Sequence, residues 1–253
     1  MNNQVIINAD DCGINSKVNA EIERFIVLGK ITSTTIMANM DDLAGAKHLY
    51  DLYKDKISFG VHVNLTDGQP LTQSQALLDY GYYKEQNGKI VMNGYPFINK
   101  RMPKYLHKDI VKECVTQIDN VRDMGIEISH IDSHHLMLTS SSMISITPII
   151  LNRVGIKKMR RARNYIEHKS IDYYMRQFWF AWMKMNVRGL HSTDWFEMFS
   201  SFYSLQKKGF HRNGTIELMT HPGGNYPKED LLMLNTDYNQ LFKGYKLINY
   251  NNL

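Results

Sequence analysis

Short apolar runs rich in β-branched residues alternate with longer stretches of helical periodicity, and this alternation decides the fold class before any motif is considered. The runs are QVIINADD (4–11), STTIMANM (33–40), ISFGVHVNL (57–65), IEISHIDSHH (126–135) and TIELMTHPGG (215–224), with a shorter GIKKMRR at 155–161. After the first, Val18, Ile22, Phe25, Ile26 and Gly29 recur at helical spacing behind the candidate N-caps Asn15 and Ser16. Further helices are expected over 43–53, over 104–125 with its stripe Ile110, Val111, Cys114, Val115, Ile118 and Val121, and over 143–154. Strand–helix repetition without a Pro/Gly-rich linker predicts one α/β domain with a largely parallel sheet, spanning 1–253. No Gly-rich phosphate loop follows the first run, which weighs against an open doubly wound sheet that binds a dinucleotide.

Two segments break the rhythm. Residues 67–103 are polar and dotted with Tyr80, Tyr82, Tyr83, Tyr95 and Phe97, too long for a simple connection and read as a lid or substrate loop. Residues 164–211 form an aromatic-rich helical excursion, with Tyr173, Tyr174, Phe178, Trp179, Phe180, Trp182, Trp195, Phe196 and Phe199, for which core or interface packing is the commoner cause.

Composition excludes several classes. With 43% hydrophobic and 22% charged residues among 253, the chain has material for a sizeable core and is not disordered. No apolar run approaches the roughly 18 residues that span a bilayer, and Asp10 and Asp11 interrupt any N-terminal leader. No membrane association is expected, and a cytoplasmic location is. Two cysteines, Cys12 and Cys114, make no disulfide framework, in keeping with a reducing compartment. The net charge of +5 and the cluster KKMRRAR (157–163) raise nucleic-acid binding or a phosphorylated ligand. No nucleic-acid motif accompanies the cluster, and none is expected to bind.

Chemistry collects at the C-terminal ends of the apolar runs: Asp10 and Asp11, His62, then His130, Asp132 and His134, and finally His221. In parallel α/β folds these ends share one face, so residues distant in sequence converge there. A carboxylate and two imidazoles make a three-point divalent metal site with open positions for water and substrate, assigned to Asp11, His62 and His134. Strand alternation puts His130, Asp132 and His134 on one face, with His134 at the mouth and His135 turned away. Asp132 and His130 are then read as holding neighbouring imidazoles in the right tautomer, and Asn64 as a substrate-binding or supporting residue. In HPGG, Pro222 and Gly223 force a turn that leaves His221 at the rim.

The segments NADDCG, STTIMAN, GVHVNLT, HIDSHH and ELMTHPG, with the closing YKLINYNNL, resemble in order and spacing the YdjC-like carbohydrate deacetylases, chitooligosaccharide deacetylase-like enzymes among them. The resemblance spans nearly the whole chain. It implies an irregular TIM-like (β/α) barrel, one divalent metal ion (Mg²⁺ or Zn²⁺), hydrolysis of an N-acetyl group from an amino sugar or short chitooligosaccharide, and a homodimer. Carried over residue by residue, Asp11, His62 and His134 correspond to metal ligands, Asp10 to the catalytic base and His221 to the acid. The chain departs from the family pattern at Cys12, usually an aromatic, and at Leu136, Met137 and Leu138, often further histidines. Residues 164–210 match only loosely, at STDWF.

Under that resemblance Arg160 orients Asp10 or contacts substrate, although a solvated basic residue is nearly as common. Three rivals remain. A non-haem iron enzyme also uses two histidines and a carboxylate but has no need of Asp10 or His221. A thiol hydrolase would use Cys12, whose neighbouring carboxylates make it a poor nucleophile. A carbohydrate-binding barrel without turnover would have no use for the intact set of five.

Overall fold

A computed structural model describes residues 3–253. The chain runs through β1 (Asn3–Cys12), α1 (Ser16–Val27), β2 (Ser33–Ile36), α2 (Leu43–Tyr53), β3 (Ser58–Val63), α3 (Gln75–Asp79), β4 (Tyr83–Gln86) and β5 (Lys89–Met92). It continues with α4 (His107–Asp123), β6 (Ile131–Ser133), α5 (Thr147–Val154), α6 (Ile171–Asn186), β7 (Trp195–Met198), α7 (Phe199–Lys207), β8 (Thr215–Thr220), α8 (Pro227–Asn235), α9 (Tyr238–Leu241) and β9 (Tyr245–Leu247). The expected helices are present. Asn15 caps α1 by accepting from Val18 N at 3.0 Å, and Asp42 caps α2 from Gly45 N at 3.1 Å. Val18, Ile22, Phe25 and Ile26 form the buried face of α1.

The main sheet has the order β6-β3-β2-β1-β8-β7, and every pairing along it is parallel. β9 adds a further parallel partner to the first residues of β1 (Asn3↔Tyr245 to Val5↔Leu247), below the stretch that pairs with β2 from Asn8 onward. Val5, Ile6, Ile7 and Ala9 are wholly buried, as in a strand covered on both faces. The sheet is curled rather than closed by regular ladders: single bridges Ile131↔Met159 and Lys158↔His191 continue it from β6 toward the chain leading into β7. The run 155–161, expected to extend the alternation, supplies those bridges instead of a strand.

The two departures from rhythm are built into the fold. Glu113 of α4, itself buried, accepts Leu71 N (3.0 Å), Thr72 N (2.7 Å) and the Thr72 hydroxyl (2.6 Å), pinning the base of residues 67–103. Tyr82 and Tyr83 are buried there, while Tyr95 is exposed. Residues 164–211 are not helical throughout, because they contain β7, whose pairing with β8 and the short run length hid it in an aromatic background. The basic cluster is mostly turned to internal acceptors. Lys158 donates to Tyr250 O (2.6 Å), Arg161 to Gln177 Oε1 (2.7 Å) and Arg163 to Ser201 Oγ (3.3 Å). Among the described residues no helix is long and apolar enough to cross a membrane.

Candidate active site

β1 ends in an irregularity that separates its two carboxylates. Its register with β2 shifts between Ala9 and Cys12, and Asp11 adopts φ +67°, a left-handed conformation that Asp tolerates better than most residues. Asp10 is buried against the core, whereas Asp11 meets the histidines of two other strand ends. Asp11 Oδ1 lies 2.9 Å from His134 Nδ1 and 3.3 Å from His62 Nε2, and the two nitrogens are 3.4 Å apart.

The outer nitrogens fix what the inner ones are. His62 Nδ1 donates to Asp132 Oδ1 at 2.7 Å, and Thr35 Oγ1 donates to the other Asp132 oxygen at 3.1 Å. His134 Nε2 sits 3.3 Å from Asp67 Oδ2. With the outer nitrogens protonated, lone pairs on His62 Nε2 and His134 Nδ1 face the Asp11 carboxylate. With lone pairs rather than protons on those two inner nitrogens, the buried Asp11 Oδ1 has no hydrogen-bond partner among the described residues. The ligand atoms of Asp11, His62 and His134 lie within 4.8 Å of one another. Two imidazoles and a carboxylate converging on an unsatisfied oxygen fit a divalent cation. Without one, protons take its place. Burial opposes charging His62 and His134, but the carboxylates Asp132 and Asp11 outweigh it for His62, and Asp11 and Asp67 for His134, raising them to about 10 and about 9.

Beside this cluster lies a buried ionic network centred on Arg160, 1% exposed. Its Nη1 and Nη2 donate to Asp10 Oδ2 and Oδ1 at 2.7 and 2.6 Å, its Nη2 also lies 2.8 Å from Asp132 Oδ2, and its Nε donates to Glu217 Oε1 at 2.7 Å. Burial pushes Asp10 up, but the guanidinium overrides it and holds the carboxyl at about 2. His221 Nε2 approaches Asp10 Oδ2 to 3.9 Å from the rim, and its ring lies 5.1 Å from that of Tyr226.

Asp10, Asp11, His62, His134, Asp132, Arg160 and His221 are thus brought together. Two others make no hydrogen bond to these groups, His130 against expectation and Asn64 in a supporting role. His130 makes no hydrogen bond to either imidazole; its Nδ1 pairs with Ser129 Oγ and its ring stacks on Tyr250 at 3.5 Å, so it is a core residue rather than a tautomer-setting partner. Asn64 is buried and builds the turn that presents Asp67, accepting from Thr66 N and Asp67 N and donating to Asp67 O. The alternation expected over 130–134 holds only within β6, which stops at Ser133; His135 takes φ +52° and lies 3.7 Å from Asp67. Burial pushes the Cys12 thiol up to about 12, reinforced by Asp42 and Asp11, which removes it as a nucleophile.

Asp67, Glu217 and Tyr250 were not among the expected residues. Only Glu217 left a trace in the sequence, as a charged residue inside the otherwise apolar run TIELMT.

Comparison with known proteins bears on the family and the fold. The family described as YdjC-like protein matches residues 4–245. A carbohydrate deacetylase of Geobacillus stearothermophilus is 29% identical over 178 residues, 69% of this chain and 66% of that protein, just short of two thirds of its length. One from Halalkalibacterium halodurans is 26% identical over 221 residues, 87% of this chain and 84% of its own. A crystal structure from Enterococcus faecalis V583, of a protein named for cellobiose-phosphate cleavage, superposes with a TM-score of 0.76 over 100% of this chain and 99% of that one at 18% identity, a likeness of fold.

Proposed function

Because this chain belongs to the YdjC-like family, we propose that it removes an N-acetyl group from an amino sugar or short chitooligosaccharide by metal-assisted hydrolysis. The observation that carries the reading is the convergence of Asp11, His62 and His134 on an unpartnered carboxylate oxygen, with an Arg-held carboxylate and a rim histidine alongside. A divalent cation held by those three residues supplies Lewis acidity to the amide carbonyl and to water.

The remaining work falls to the protein. Asp10, ionised across the neutral range, accepts a proton from the attacking water as the new carbon–oxygen bond forms. Arg160 grips both Asp10 oxygens and so limits the carboxylate to one orientation. His221 donates a proton to the amine nitrogen as the carbon–nitrogen bond breaks, and acetate and a free amine leave. His221 Nε2 lies 3.9 Å from Asp10 Oδ2, so the proton gained by Asp10 returns to the imidazole through one bridging water or a small ring rotation, which restores both groups.

Exposed tyrosines flank the site: Tyr95 packs edge-on to His135 at 4.8 Å and Tyr226 lies beside His221. Such rings offer apolar faces to pyranose C–H groups while leaving their hydroxyls for hydrogen bonds. Tyr95 belongs to 67–103, which acts in this reading as a fixed wall of the sugar site, since Glu113 anchors its base.

Acetate release from N-acetylated mono- and oligosaccharides, with metals added or chelated, tests the proposal. Asp11→Asn should lose both zinc binding and turnover. Asp10→Asn should keep zinc and lose turnover by about two to four orders of magnitude. Wild-type rates in both variants, or activity indifferent to chelator, would refute it.

A further inference from the structure

Arg160 is held at its far side as firmly as at Asp10, and that second grip comes from two residues with no place in the chemistry above. Glu217, wholly buried in the middle of β8, takes the Nε proton on Oε1 and the Tyr250 hydroxyl on Oε2, the latter at 2.5 Å. Tyr250 is itself immobilised from three directions. Its ring stacks on His130 at 3.5 Å with 9° between planes, its N–H donates to Ser58 Oγ at 3.0 Å, and its carbonyl accepts Lys158 Nζ at 2.6 Å. The Phe196 ring covers the guanidinium at 4.9 Å.

We propose that Glu217 and Tyr250 are positioning residues that lock the Arg160 guanidinium in the orientation presenting both Nη atoms to Asp10. This rests on the deacetylase reading of the site. A guanidinium has five N–H donors in a rigid plane, so fixing Nε fixes the direction of the other four. Asp10 and Asp132 alone grip one end of that plane and leave it free to swing about the side-chain stem. The Glu217 carboxylate removes that freedom, and the Tyr250 hydroxyl keeps Glu217 in place. A role confined to neutralising Arg160 would need no hydroxyl on Tyr250 and would appear in stability alone.

The test uses the full chain loaded with zinc and compares Glu217→Leu, Glu217→Gln and Tyr250→Phe. Tyr250→Phe deletes one oxygen and retains the stacked ring, so it should fold even if Glu217→Leu does not. Expected are a kcat fall of about 10- to 100-fold in Glu217→Leu, the range seen for outer partners of a reacting group, and a smaller fall in Tyr250→Phe. KM and zinc affinity should stay within about twofold, and Glu217→Gln, which still offers an acceptor to Nε, should recover most of kcat. A readout independent of turnover is the Arg160 Nε–H resonance in ¹⁵N spectra, slow to exchange in the wild type and at least about tenfold faster in Tyr250→Phe and Glu217→Leu. Unchanged exchange and unchanged kcat in folded Tyr250→Phe would overturn the proposal, as would kcat and zinc affinity falling together. If the wild type released no acetate from any sugar, the deacetylase reading would fall, and the exchange measurement alone would decide whether the tether exists.

Discussion

Replacing Asp67 with Ala should weaken zinc binding at little cost to the fold. Asp67 is the carboxylate facing the outer nitrogen of His134, as Asp132 faces that of His62, and such partners hold an imidazole in the ligating tautomer and orientation at a worth of 10- to 100-fold in affinity. Geometry places the two at opposite ends of that range. Asp132 is wholly buried at 2.7 Å from its nitrogen, whereas the Asp67 side chain is 50% exposed at 3.3 Å. Asp67→Ala should therefore lose about tenfold, or roughly 1.4 kcal/mol. Competition titration of zinc against a chromophoric chelator at fixed pH measures this directly. Thermal unfolding of the metal-free variant should fall only slightly below the wild type, because the Asp67 carboxylate that helps hold the charge on His134 is half-exposed and its pairing is screened by solvent. Zinc affinity within twofold of the wild type would show that His134 needs no partner at Nε2, and the reasoning about paired carboxylates would fail.

Three further outcomes follow from the same geometry. Since His62 and His134 are raised to about 10 and about 9 in the metal-free protein, each ion should displace close to two protons at neutral pH, and zinc affinity should fall as the solution is acidified; isothermal titration in buffers of differing ionisation heat counts the protons. Both imidazoles have folded values above the unfolded 6.5, so their stabilisation is complete below about pH 6.5 and disappears as pH rises through 9 to 10; the urea midpoint of chelated protein should drop over that window while the zinc-loaded protein holds steady, and a rise would contradict the assignment. Gly60→Ala would place a Cβ 2.5 Å from His130 Cε1 and 2.7 Å from the His130 carbonyl oxygen, forcing β3 from β6 at a cost of about 1–3 kcal/mol. Because β3 carries His62 and β6 carries Asp132, that variant should lose zinc affinity as well as denaturant resistance; wild-type behaviour in both would mean the strands are not so closely opposed.

Much of this site was legible because its residues lie where physical constraints leave few options. A parallel sheet puts its C-terminal strand ends on one face, so Asp10, Asp11, His62, Asp132 and His221 were readable as neighbours from the apolar runs before them. Asp67 was not readable, since a carboxylate four residues beyond β3 in VNLTDG looks like ordinary turn chemistry, and its meeting with His134 depends on the Asn64 turn. Arg160 was ambiguous because it falls in a basic cluster, and only tertiary structure separates the guanidinium buried among carboxylates from its partly exposed neighbours. β7 and β9 were missed for a common reason. Strands of four and three residues carry too little periodicity to stand out, and β9 is defined by its pairing with β1 rather than by its own side chains.

The adjacent aspartates are reconciled by partner rather than by distance. Asp10, Asp11, Asp132 and Glu217 put four largely buried carboxylates in a network with the single guanidinium of Arg160, an excess of negative charge that burial eases only at Glu217, whose carboxyl it pushes up to about 7. A poorly solvated interior does not sustain such an imbalance. In the metal-free protein protons on His62 and His134 offset it, and a divalent cation would carry the same two charges to the same place once those protons leave. A monovalent ion would return only one of those two charges, so charge as well as ligand type favours a dication. Asp10 answers to Arg160 and Asp11 to the cation, and the left-handed backbone at Asp11 is what turns the neighbours apart. Asn tolerates that backbone nearly as well as Asp. Asp11→Asn therefore removes the charge while sparing the turn, and its loss of zinc would report on electrostatics rather than on strain.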